Sequence, residues 1–227
     1  MAKTGERKAQ ILQTLAAMLE NPKGERITTA LLAARLEVSE AALYRHFASK
    51  AQMYEGLIEF IEQTVFSLVN KIQAEERDAM KQVEATVATL LGFAQKNPGM
   101  TRVLIGDALV NEDERLQARV NQLLDRLEAS LRQSARLAVN ASQLPADWDV
   151  NAYANTLIAF VLRSLEHLFG RECAERQQLE QHLSEVRERG PRDRLALSLG
   201  AIGKALLKIG ERHAPMRAID GIERQPE

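Results

Sequence analysis

The segment Thr28 to Lys50, TTALLAARLEVSEAALYRHFASK, carries the residue types and spacing best suited to chemistry, and that chemistry is recognition of a polyanion. Two short helices, Thr28 to Leu36 and Glu40 to Phe47, are predicted with only Glu37-Val38-Ser39 between them, too tight a junction for a hairpin of long arms. A helix-turn-helix fits: Leu32, Leu36 and Val38 can face Leu43 and Phe47, while Ala33 and Ala34 allow close approach. Ser39 is placed to cap the second helix. The unpaired N–H groups and positive dipole end of that helix would then point outward, where a phosphate or base edge could meet them.

No comparable inventory exists for catalysis. The four histidines, His46, His167, His182 and His213, are widely spaced, and no His/Cys/carboxylate cluster has metal-ligand spacing. Cys173 is the single cysteine, so it has no thiol companion and no intramolecular disulfide framework can form. Asn111 to Glu114 reads as an N-cap followed by three acids in a first helical turn. The expectation is a protein with no catalytic residues, no metal and no cofactor.

The elements that must position the motif are all helical, because nothing of comparable length alternates at the strand period of two. A first helix from about Glu6 to Glu20 carries the stripe Ile11, Leu15, Met18 and Leu19, and Asn21-Pro22-Lys23-Gly24 stops it. After the motif a helix from Ala51 to about Ala74 presents Leu57, Ile61, Val65, Leu68 and Ile72. The next, Met80 to Lys96, presents Val83, Val87, Leu90, Leu91 and Ala94 and ends at Asn97-Pro98-Gly99. A short helix from Met100 to Leu109 precedes a long one that reaches about Val139, striped by Leu116, Val120, Leu123, Leu127 and Leu131. After a loop at 140–147, a further helix carries Tyr153, Leu157, Phe160, Val161, Ser164, Leu165 and Leu168. Beyond Gly170 the composition shifts to Arg, Glu and Gln. Leu195, Leu199, Ile202, Leu206 and Ile209 permit a last helix, weakened by Gly200 and Gly203, and residues 211–227 read as frayed. The predicted organisation is a DNA-binding head at 1–50, a helical dimerisation and partner-binding body at 51–170, and a C-terminal extension at 171–227.

With 227 residues, 45% hydrophobic and 27% charged, the chain has a globular composition. Its net charge of −1 hides a polarity: residues 1–50 hold eight Lys or Arg against five Asp or Glu, residues 51–100 four against seven. A basic head on an acidic body suits a polyanion partner at one end. No apolar run approaches the length of about 20 residues that spans a bilayer, and the charged N-terminus lacks a signal-peptide core. A cytoplasmic, nucleoid-associated location with no membrane partner is expected.

The ending Leu43-Tyr44-Arg45-His46-Phe47, followed by Ser49-Lys50, resembles the recognition helix of the TetR family of bacterial DNA-binding regulators. The resemblance implies an all-α, TetR-like homodimer on palindromic double-stranded DNA, with room for higher-order assembly on the DNA. It also implies that Tyr44 and Lys50 contact phosphates, with Thr28, Ser39, Glu40, Ala41 and His46 on the groove side and Arg7 and Lys8 adding backbone contacts. Two positions depart from the family pattern: Glu37 stands where a glycine with positive φ is common, and Ala48 where proline is frequent. Further matches, Leu57 to Glu62, Leu90-Leu91-Gly92-Phe93, Asn97-Pro98-Gly99, Arg115-Leu116-Gln117 and Asn121-Gln122-Leu123, resemble a nucleoid-occlusion branch of that family. That branch implies antagonism of the tubulin-like division protein FtsZ, whose C-terminal tail would lie between the helices 51–74 and 80–96. Phe60, Gly92, Lys96 and Asn97 match the tail-binding pattern, while Leu68 replaces a common arginine and Thr89 a common leucine.

Two other readings stay open on the sequence. A ligand-responsive repressor of the same family would use Phe66, Met80, Phe93 and Met100 to line a cavity, although apolar residues at helical spacing are more often core. A helical adaptor with a degenerate head would bind DNA no better than heparin. The dimer is expected to form through the helices near 116–139 and 150–168, with Leu157 and Phe160 in the contact.

Overall fold

The computed structural model describes residues 4–20 and 27–169. The elements among them are all helical: α1 (Thr4–Leu19), α2 (Thr29–Arg35), α3 (Glu40–Tyr44), α4 (Lys50–Glu75), α5 (Ala79–Lys96), α6 (Pro98–Leu104), a 3-10 turn (Asp107–Leu109), α7 (Glu114–Asn140) and α8 (Val150–Phe169). The expected stop at 21–24 and everything expected after residue 170 lie outside the described residues. No helix among those described is long and apolar enough to cross a membrane.

The described residues divide into two compact units, one of 4–20, 27–63 and 96–121, the other of 64–95 and 122–169. The head is therefore built from more than residues 1–50: it includes the first turns of α4, all of α6 and the start of α7. In this first unit Ile11, Leu15, Leu32, Leu43, Met53, Leu57, Ile58 and Leu116 are buried, so the stripes of α1 and α4 meet the small apolar faces of α2 and α3. α1 also packs on α6 at a glycine: Gly99 is buried, and a Cβ placed on it would overlap the Ala16 carbonyl oxygen. Arg102 fastens the same pair of helices by donating from Nη1 to the Leu19 carbonyl at 2.9 Å.

In the second unit the apolar stripes Val83, Val87, Leu90, Leu91 and Ala94 of α5 and Leu123, Leu127 and Leu131 of α7 are buried as their spacing requires. Its polar core is paired at Gln82 and Ser134, while the enclosed Arg132 Nε and Trp148 Nε1 have no hydrogen-bond partner. Buried Gln82 donates to the Glu76 carbonyl at 2.7 Å and accepts from the Ser134 hydroxyl at 3.0 Å, tying the end of α4 to α5 and α7. Met80 and Trp148 close over Ala79, Ala138 and Leu144. Phe66 lies beneath the Arg126 guanidinium, 4.1 Å from it, and Phe93 is buried in α5. These are packing roles for residues that could have lined a ligand cavity, and Met100 belongs to the other unit.

Four boundaries differ from expectation, each for a local reason. α3 stops at Tyr44, because Phe47 is buried and the chain must turn there into α4. Pro98 opens α6 at a position where its missing N–H costs nothing, so it starts a helix besides ending α5. The expected helix from Met100 to Leu109 divides at Gly106, whose φ of 79° is the left-handed conformation. Asn111 does not cap α7: with φ at 65° it forms the preceding turn, and the Asp113 carboxylate accepts from the Arg115 N–H at 3.0 Å instead. Leu157 is only 1% exposed and belongs to the core of its own chain, so it is withdrawn as a dimer contact. Phe160 is half-buried.

Candidate nucleic-acid interface and partner surface

The turn of the motif is fixed by backbone bonds. The Val38 N–H donates to the Ala33 carbonyl at 3.0 Å and the Glu37 N–H to Ala34 at 3.1 Å, a Schellman closure of α2. Glu37 takes the left-handed residue of that closure, with φ at 55°. A glycine would sit there without strain, and the L side chain costs about 1 kcal/mol. Immediately afterwards Ser39 caps α3, its hydroxyl accepting from the Ala42 N–H at 3.3 Å. Thr28 caps α2 in the same way, accepting from Leu31 at 3.1 Å. At the start of α4 the Ser49 hydroxyl accepts from Gln52 at 3.2 Å, and Gln52 in turn accepts from the Ala48 N–H at 2.8 Å. Proline at 48 would have no such proton to give, so Ala48 is matched to Gln52.

Thr28, Ser39, Glu40, Ala41, Tyr44 and Arg45 are all exposed, so the head offers solvent a mixture of small, charged and aromatic side chains. Tyr44 is 45% exposed, and its hydroxyl reaches Thr29 Oγ1 at 3.4 Å. Thr29 in turn donates to Glu40 at 2.5 Å. This chain from Tyr44 through Thr29 to Glu40 braces α2 against α3, and it gives Glu40 an internal partner. Thr29, one residue after the cap, was not marked by spacing or composition; only the fold brings it to Tyr44 and Glu40. His46 is half-buried, with Nδ1 enclosed and unpaired. On α1, Arg7 donates to Gln10 at 2.6 Å and exposed Lys8 stands 5.6 Å from the Phe47 ring centroid. Lys50 opens α4, but its ammonium is ion-paired with Glu112.

The residues expected at the partner surface fall three to each unit. In the first, half-buried Phe60 lines a half-open cleft of about 330 Å³ with Leu12, Phe47 and Met100. Exposed Lys96 lines a second with Ala16 and Ala17 of α1. Asn97 is buried and its side chain makes no capping bond to α6, so it is neither a rim residue nor a simple helix cap. In the second unit Leu68 is 41% exposed on α4, and Thr89 and Gly92 are half-buried on α5. A Cβ at Gly92 would meet nothing within 4 Å. The fold therefore has no internal use for glycine there.

Two family descriptions match the chain: "Bacterial regulatory proteins, tetR family" over residues 23–57 and "Tetracyclin repressor-like, C-terminal domain", of the SlmA-like type, over residues 77–185. Among curated relatives, the nucleoid occlusion factor SlmA of Alteromonas mediterranea is 58% identical over 134 residues, 59% of this chain and 69% of the relative. That of a Marinomonas species is 50% identical over 165 residues, 73% of this chain and 84% of the relative. In fold the chain is similar to the TetR family transcriptional regulator PfmR from Thermus thermophilus, with a TM-score of 0.63 at 18% identity, covering 87% of this chain and 97% of that one. The chain belongs to the TetR-type family of regulators, within its SlmA-like group.

Proposed function

We propose that the chain binds double-stranded DNA as a dimer through its helix-turn-helix head and, while DNA-bound, acts in nucleoid occlusion by antagonising FtsZ assembly. The observation that carries the DNA reading is the outer face of the head, where two capped helices present Thr28, Ser39, Ala41 and Tyr44 to solvent on a rigid turn. Tyr44 and the cations Arg7, Lys8 and Lys50 serve as phosphate-positioning groups, and the residues around the N-terminus of α3 reach base edges. One head of this size addresses a single groove segment. A two-fold dimer would address two half-sites about one helical turn apart, so the operator is an inverted repeat.

The division-inhibitor reading rests on membership of the SlmA-like group together with Gly92. A glycine that its own fold does not need, in the same unit as exposed Leu68, suits close approach of an extended peptide backbone. The peptide proposed is the FtsZ C-terminal tail, with Leu68 and Thr89 as substitutions that tune its affinity; the family resemblance adds Phe60 and Lys96 as contacts, and Asn97, being buried, is not among them. Lys96→Asp is expected to abolish binding of a labelled tail peptide in an anisotropy titration. Thermal stability should stay within about 0.5 kcal/mol and DNA affinity should be unchanged, because an exposed charge reversal rarely costs more in folding.

Enrichment of bound chromosomal fragments tests the two halves together. Sites dispersed along the chromosome support nucleoid occlusion. Binding confined to one promoter, with no affinity for the tail, would leave a conventional repressor.

A further inference from the structure

The Lys50 ammonium, proposed above to hold a DNA phosphate, is already occupied. It pairs with the Glu112 carboxylate, 62 positions away in sequence, with side-chain exposures of 23% and 14% respectively. The same ammonium lies 5.6 Å from the ring centroid of Tyr54, one turn along α4. Lys50 therefore folds back along its own helix, away from the α4 N-terminus. Glu112 is held in place for this contact: Asn111 turns the chain with φ at 65°, and the Glu112 N–H donates to the Leu109 carbonyl at 3.0 Å. Nearby cations have other carboxylates. Arg102 pairs with Asp107 at 2.5 Å and Arg115 with Asp113 at 2.8 Å.

We propose that Glu112 is a built-in competitor of the DNA backbone, so that Lys50 must exchange a carboxylate for a phosphate when the head docks. This rests on the DNA-binding reading and adds to it a residue that sets affinity through Lys50. In the free protein the pair is neutral and contributes little to the counterion release that drives binding. On DNA, Lys50 swings out while Glu112 is left as an anion close to the phosphates, and both changes weaken the complex. Glu112 is thus a positioning residue, limiting how tightly the head holds any sequence and leaving base readout to the groove-side groups.

The test is a titration of a labelled mixed-sequence duplex of about 30 base pairs, followed by anisotropy across a salt series, since non-specific binding isolates the phosphate contribution. Glu112→Gln is expected to bind about three- to tenfold more tightly at about 0.1 M salt, with a log–log salt slope steeper by about 0.9 per protomer. The double variant Glu112→Gln with Lys50→Ala should lose that gain. Glu114→Gln removes the same charge two residues on, from an exposed side chain, and should give a much smaller change. Affinity equal to or weaker than the unmodified protein for Glu112→Gln, or an equal gain from Glu114→Gln, overturns the proposal. Should Glu112→Gln melt at markedly lower temperature, Glu112→Asp withdraws the carboxylate by one methylene at constant charge; it too should tighten binding, and no gain from it would be contrary. Absence of salt-dependent binding by the unmodified protein would instead remove the DNA-binding reading itself.

Discussion

Raising salt from about 50 to about 200 mM is expected to weaken DNA binding by about 10²-fold if a dimer neutralises about four phosphates, because each contributes a log–log slope near −0.9. The cations of the head provide that number when Arg7 and Lys8 act in both protomers, Lys50 being neutralised by Glu112. Tyr44→Phe should lower affinity on every sequence alike, since a hydroxyl on a phosphate carries no base information. Thr28→Ala and Ser39→Ala should differ from it in kind. Each removes a cap worth about 1 kcal/mol of stability, and, compared at equal folded fraction, each should also change which sequence is preferred. Anisotropy titrations on an inverted-repeat duplex and its scrambled counterpart separate the two classes. A flat salt response, or equal losses on both duplexes for all three variants, would contradict these roles.

The largest expected effect on folding is at Gly99. Its missing Cβ would overlap the Ala16 carbonyl oxygen, with the Ala16 carbonyl carbon at 3.0 Å and the Glu20 nitrogen at 3.2 Å. All three are backbone atoms, so no side-chain rotation can make room and α1 must move off α6. Gly99→Ala is therefore expected to cost about 3 kcal/mol, the upper end of ordinary overpacking. That corresponds to a fall in melting temperature of about 6–12 °C for a protein of this size. Gly92→Ala provides the contrast: with open space at its Cβ and a helical backbone, it should leave stability unchanged or raise it by up to about 1 kcal/mol. The same methyl would obstruct an approaching peptide, so Gly92→Ala should weaken binding of the tail while the protein melts no earlier. Calorimetry on the two variants, with a peptide titration of Gly92→Ala, decides both points.

The parts of this fold that were legible in the sequence are those governed by periodicity and capping. The stripes of α5 and α7 are buried where a 3.6-residue repeat places them, and so are Leu57, Ile61 and Val65 of α4, but farther along α4 Leu68 is exposed and Val69 is buried in its stead; Thr28 and Ser39 cap the helices that follow them. Even the unfavourable residue was readable: Glu37 holds the positive φ that the turn demands. What was not legible depends on long-range pairing. Nothing in the local pattern of Lys50 points to Glu112, and the polar chain through Thr29 exists only once α2 and α3 have docked. Asn97-Pro98-Gly99 reads as a stop signal on chemistry alone. Its glycine is needed instead for contact with α1, which sequence adjacency cannot show. At Leu157 periodicity correctly marked an apolar face but could not say whether that face meets its own chain or a second copy.

The most direct measurement is FtsZ assembly, followed by light scattering and sedimentation, with the unmodified protein and a duplex carrying its operator. The account predicts that protein and DNA together reduce polymer, that either alone has little effect, and that Lys96→Asp removes the inhibition while still binding the duplex. Unchanged FtsZ assembly in the presence of the saturated protein–DNA complex would contradict it.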